Sequence, residues 1–155
     1  MLYNSIILPY ITYGIESWYG ASRSVSDVIG VLQRKAIRAL YNLPYNAHTN
    51  NSFKSGELLK LNDLYNLSIC SQLYKYINTE NSEIGDRLTA HSQVHEHNTR
   101  HNRNLVTPRY NRSTSQSSYI FQAITQWNLL PEHIKQCDTV HAFKRQLRDM
   151  YCSQY

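Results

Sequence analysis

No Asp-Asp pair occurs anywhere in the 155 residues of this chain, and its eleven acidic residues are scattered. Phosphoryl transfer relies on metal ions bridging the attacking and leaving oxygens, and a convergent set of carboxylates is what holds such ions. The chain also lacks a P-loop, a Gly-x-Ser-x-Gly elbow and a His-Glu-x-x-His helix. The expectation is therefore that the isolated chain is not an enzyme and carries no cofactor. Cysteine is scarce: Cys70, Cys137 and Cys152 are odd in number and irregularly spaced, which reads as reduced thiols in an intracellular protein rather than a disulfide framework. The N-terminus has neither a basic n-region nor a small-residue cleavage site, and Asn4, Pro9, Gly14 and Glu16 interrupt its apolar run. Signal peptide, membrane span and membrane partner are not expected on that basis. No internal repeat is present.

Charged residues make up only 17% of the chain, so asparagine and thirteen tyrosines supply much of its polarity. Hydrophobic residues reach 41%, enough for a core at a length where one domain folds alone. The net charge of +5 and a pI of about 9.1 favour a polyanionic partner. Its distribution is uneven. His97 to Pro131 holds Arg100, Arg103, Arg109 and Arg112 and no acid, whereas Glu80 to Asp86 is acidic.

Periodicity divides the chain into a helical part, 1–78, a polar basic linker, 79–118, and a C-terminal helical pair, 119–155, packing back on the core. Tyr3, Ile6, Ile7, Tyr10, Tyr13 and Trp18 predict a buried helix over residues 2 to about 20, kinked near Pro9. Ser24 or Ser26 can cap a second helix, with an apolar stripe of Val25, Val28, Ile29, Leu32, Ala36, Ala39 and Leu40 and with Arg34, Arg38 and Tyr41 opposite. Asn62 is a candidate N-cap for a central helix from Asp63 to about Ile77. Between 79 and 118 periodicity fails, and a short β-hairpin around Leu105-Val106-Thr107 is the one element expected there. Ile120, Ala123, Ile124 and Trp127 predict a helix closed by Pro131, and Thr139 caps a last one burying Val140, Phe143, Leu147, Met150 and Tyr151. The fold class is mainly α, a small helical bundle with a long Arg/His/Asn-rich loop.

Two basic groups can meet nucleic acid. Arg34 and Arg38 are four residues apart with Lys35 beside them, suiting successive phosphates, though an ordinary solvated helix face has the same composition. Arg100, Arg103, Arg109 and Arg112 are interleaved with Asn98, His101, Asn102 and Tyr110, offering phosphate forks, amides and a stacking ring; a flexible solvated loop is the competing reading. His91, His95, His97 and His101 form interlocking His-x3-His pairs, a spacing that chelates metal on a helix. The loop-like composition argues against a metal site there. Trp127, on an apolar stripe, reads as a core anchor, as do Trp18, Tyr10 and Tyr13.

Leu8-Pro9 through Trp18, Gln33-Arg34-Lys35-Ala36-Ile37-Arg38, Asn98-Thr99-Arg100 with Pro108-Arg109, Trp127-Asn128-Leu129-Leu130-Pro131, and the amphipathic segment with Phe143 and Lys144 follow one another in order. In that order they resemble the thumb and post-thumb segment, just C-terminal to the polymerase core, of non-LTR (LINE-type, jockey-like) retrotransposon reverse transcriptases. The resemblance spans nearly the whole chain. It implies a thumb-like fold and a non-catalytic role: holding template RNA and DNA primer for a palm that this chain lacks, with Tyr-x-Asp-Asp and magnesium in that missing part. It implies RNA-directed DNA polymerisation for the parent, a nuclear site of action for an intact element, Met1 as an internal methionine or the start of a truncated copy, and self-association of the chain in isolation. Many members carry a Cys-Cys-His-Cys knuckle beyond this region, which the three cysteines here cannot form. The rival reading is a small helical protein-interaction module, and a third is an element relic without selected function.

Overall fold

A computed structural model describes residues 2–20, 22–79, 88–90, 104–108 and 118–155. The fold is mainly α, as the periodicity indicated. The described residues contain no extended strand; the hairpin expected around Leu105 is represented there by one antiparallel bridge between Ala90 and Leu105. No helix among them is long and apolar enough to cross a membrane. Contacts group the chain into two compact units, one of 1–68 with 145–155 and one of 69–144.

In the first unit the N-terminal segment is not one kinked helix. A π-helical turn, Tyr3–Ile7, runs into α1, Leu8–Thr12, and a separate turn of helix, α2, spans Ile15–Trp18. Pro9 is the physical reason for the first change: it has no N–H to offer the preceding turn, and its ring crowds the carbonyl four residues back, so the helix widens just before it. Gly14 is the reason for the second, because at φ 58° it occupies the left-handed region where a side chain is strained. Tyr3, Ile11 and Ile15 are the buried residues; Tyr10 and Tyr13, expected in the core, are 83% and 86% exposed, and Trp18 is half-buried with its indole N–H on the Tyr13 carbonyl at 3.0 Å.

Helix α3 spans Arg23–Leu40, with Ser22 rather than Ser24 or Ser26 at its N-cap. The face it buries is Gly30, Gln33 and Ile37. That line lies one residue on from Ile29, Leu32 and Ala36 of the expected stripe, a turn of about 100° round the helix. Val28 and Leu32 are consequently 59% and 55% exposed. The cause is Gln33, which is 3% exposed yet fully engaged: its amide nitrogen, Nε2, donates to the Tyr3 hydroxyl at 2.7 Å and the Leu59 carbonyl at 3.0 Å, and its Oε1 accepts from the Leu61 N–H at 2.9 Å. One amide thus ties the N-terminal turn, α3 and the 59–61 linker together. Around it pack Tyr3, Ile37, Phe53 and Leu58.

Helix α3 ends in a Schellman arrangement, with Asn42 at φ 49°, Leu43 N–H on Arg38 O at 2.8 Å and Asn42 N–H on Ala39 O at 3.3 Å. The same motif closes α4, Asn50–Ser55, where Glu57 takes the left-handed position at φ 51°. Helix α5, Leu61–Asn78, begins slightly before the expected cap; Asn62 lies inside it and accepts a hydrogen bond from the Tyr19 hydroxyl at 3.0 Å. Tyr155 secures the start of α5: its hydroxyl bonds Asp63 and accepts from the Lys60 N–H at 2.9 Å, while Lys60 Nζ lies 4.2 Å from its ring centroid. Burial and the Asp63 carboxylate both push the Tyr155 phenol well above its ordinary range.

The second unit contains the remainder of α5, then α6, Tyr119–Leu129, a short α7, Glu132–Lys135, and the first turn of α8, Val140–Ser153. Thr139 caps α8 as its spacing suggested, its Oγ1 accepting from the Ala142 N–H at 3.1 Å. Trp127 is a core residue at 4% exposure; its ring stacks near Phe143 at 5.8 Å, and Phe143 stacks on Tyr74 at 4.6 Å. Pro131 ends α6 and then serves as the N-cap of α7, an element that periodicity had not marked. Asn128 bonds backbone, though not that of its own helix end: it accepts from the Leu105 N–H and donates to the Leu105 carbonyl, both at 2.9 Å. Its amide so acts as a strand partner for the 104–108 segment.

Candidate nucleic-acid interface

The three candidate basic residues of α3, Arg34, Lys35 and Arg38, point to different tasks. The buried line of this helix runs through Gly30, Gln33 and Ile37, so Arg34 and Arg38 flank the core rather than oppose it. Arg38 is half-buried, and its Nε donates to the Ala47 carbonyl at 2.9 Å, bracing the loop after α3. Lys35 is exposed about 100° round from Arg34. Arg34 is exposed and lies back over Gly30, where an added Cβ would sit 3.6 Å from its Nη1.

That orientation places Arg34 at a cleft of about 450 Å³, whose walls include Asp27 from the same helix, Asn50 from the start of α4, Lys60 just before α5 and Asn62 in its first turn, with Val31, Phe53 and Leu61 beside them. Tyr19 lines it too; its ring stacks on Tyr65 at 4.3 Å, and burial, then the Asp63 and Asp27 carboxylates, raise the pKa of its phenol. Arg34, Lys60 and Asp27 form no ion pair; among the described residues the ion pair is Lys135 with Glu132, at 3.2 Å. Lys60 carried no sequence signal, because it comes to the cleft only through the turn that α4 and the linker make.

A second feature of the same unit is apolar. A groove of about 620 Å³ is lined by Ile6, Tyr10, Tyr13, Trp18, Leu32 and Ala36 among others. It collects the residues that periodicity assigned to the core and that the rotation of α3 leaves outside.

Arg100, Arg103, Arg109 and Arg112 lie outside the described residues, as do the four histidines His91, His95, His97 and His101. Among the described residues no group of three or more histidine, cysteine or acidic side chains is placed to hold a metal ion. Cys70 is buried and its thiol is pushed up to about 12 by that burial; Cys137 and Cys152 are half-buried and unpaired. No family model, curated protein or solved structure matches the chain.

Proposed function

We propose that the chain is a non-catalytic, thumb-like segment of a non-LTR retrotransposon reverse transcriptase that helps to hold template RNA and DNA primer. The observation that carries this reading is that Arg34 and Lys60 line one cleft and neither forms an ion pair, with Lys35 exposed on the same helix as Arg34. Unneutralised cations on a basic chain are what a phosphate backbone seeks, and the ordered motifs from Leu8-Pro9 to Trp127-Asn128-Leu129-Leu130-Pro131 supply the family. The Arg100, Arg103, Arg109 and Arg112 set adds charge of the same sign in the linker. Chemistry, magnesium and Tyr-x-Asp-Asp belong in this reading to the palm.

Two assays test it. Fluorescence anisotropy should detect binding of a primed RNA–DNA duplex and of single-stranded RNA at low salt, and Arg34→Ala with Lys35→Ala should weaken both. Primer extension on an RNA template with magnesium or manganese should give no incorporation that follows the protein through purification. Arg38→Ala is a poor probe, since it also releases the Ala47 carbonyl.

The apolar groove favours a second reading, a helical module that binds protein, and it is equally what a thumb parted from its palm would expose. The thumb reading predicts self-association of the isolated chain, reversed by Tyr10→Ser with Leu32→Lys. A monomer by light scattering at high concentration would contradict that reading. Nucleic-acid binding separates them.

A further inference from the structure

The cleft beside Arg34 contains one group that a site for phosphate alone would not have, and that group indicates which nucleic acid it takes. Asp27, Gly30 and Arg34 fall at steps of three and four along α3, so the carboxylate and the guanidinium share one side of the helix and both line the cleft. Lys60 and Asn62 line it as well. The Oδ1 of Asn62 is occupied by the Tyr19 hydroxyl, which leaves its amide nitrogen to donate. The volume, about 450 Å³, lies in the range of sites for ligands of nucleotide size.

Carboxylate and phosphate oxygens both only accept hydrogen bonds, so Asp27 repels a phosphate that Arg34 and Lys60 attract. A sugar hydroxyl has the opposite character: it donates, and an ionised carboxylate accepts from it strongly. The two cations sit seven or more positions from Asp27 in sequence, and along α3 the separation from Asp27 to Arg34 is about 10 Å of rise. That is room for phosphate at one end and sugar at the other. We propose that this cleft binds one ribonucleotide unit of an RNA strand, its phosphate between Arg34 and Lys60 and its 2′-hydroxyl donating to Asp27. The proposal rests on the nucleic-acid reading above and adds to it a preference for RNA over DNA, since the 2′-hydroxyl is the group that distinguishes them.

The test measures binding of a labelled single-stranded RNA and of the DNA of the same sequence to the full chain, the wild type beside Asp27→Ala, Arg34→Ala and Lys60→Met. Methionine retains an apolar stem against the Tyr155 ring, and circular dichroism melts establish that each variant is folded. Wild type should prefer RNA roughly tenfold, the value of one charge-assisted hydrogen bond. Asp27→Ala should abolish that preference while leaving DNA binding equal or tighter, because a repulsive charge is gone. Arg34→Ala and Lys60→Met should weaken RNA and DNA alike and each reduce the salt slope by about 0.7. An added ribonucleoside monophosphate should compete better than its 2′-deoxy counterpart in the wild type and no better than it in Asp27→Ala. Equal affinity of the wild type for RNA and DNA, or a preference that survives Asp27→Ala, overturns the ribose assignment and leaves the nucleic-acid reading standing. Absence of binding to either strand by the folded wild type overturns both.

Discussion

Gln33 shows how a single polar side chain can decide which face of a helix is inside. Its amide has three partners in the interior: the Tyr3 hydroxyl, the Leu59 carbonyl and the Leu61 N–H. Burying those groups without a partner costs about 1–3 kcal/mol for each one orphaned. Gln33→Met keeps the volume and removes the bonds, so it should lower unfolding stability by about 2–4 kcal/mol in urea titration. A variant as stable as the parent would show that packing, not the amide, sets the rotation of α3. This residue was in plain view inside the Gln33 to Arg38 stretch, but nothing in the sequence shows that a glutamine has three partners from distant segments. Hydrophobic periodicity therefore selected Ile29, Leu32 and Ala36, and the chain buries the next residue along from each.

At the scale of elements, legibility follows how local the deciding interaction is. Helix α6 is set by Ala123, Ile124 and Trp127 and stopped by Pro131, and the start of α8 is set by Thr139; each depends on neighbours within a turn, and each was readable. The N-terminal segment was readable only in part: Pro9 marked a disturbance, but the break at Gly14 replaced the continuous helix, leaving Tyr10 and Tyr13 outside. The role of Asn128 was hidden because its partner, Leu105, is twenty-three residues away. Trp127 carries the element-scale prediction. With Phe143 and Tyr74 it forms the aromatic centre of its unit, so Trp127→Ala should cost about 3–5 kcal/mol and give a chain with lost near-ultraviolet dichroism or no soluble product. A native melting curve for that variant would show the indole to be dispensable to the core.

For the whole molecule, the charge distribution that motivated the functional reading is only partly the surface that the fold presents. Of the three candidate cations on α3, Arg38 braces a loop, Lys35 stands apart, and Arg34 shares a cleft with Lys60, which no spacing rule would have placed there. The candidate site was half legible for that reason: the basic helix could be read, while the cleft needs the linker folded back beside it. Salt dependence of binding measures this directly, since each neutralised phosphate contributes roughly 0.7 to 0.9 to the slope of log affinity against log salt. If the α3 face with Lys60 and the linker arginines each neutralise about three phosphates, a primed RNA–DNA duplex should give a slope of roughly −4 to −5. Alanine at Arg34 and Lys35 with methionine at Lys60 should reduce it to about half. A folded wild-type chain that shows no binding at low salt, or a slope untouched by those three substitutions, would contradict the account.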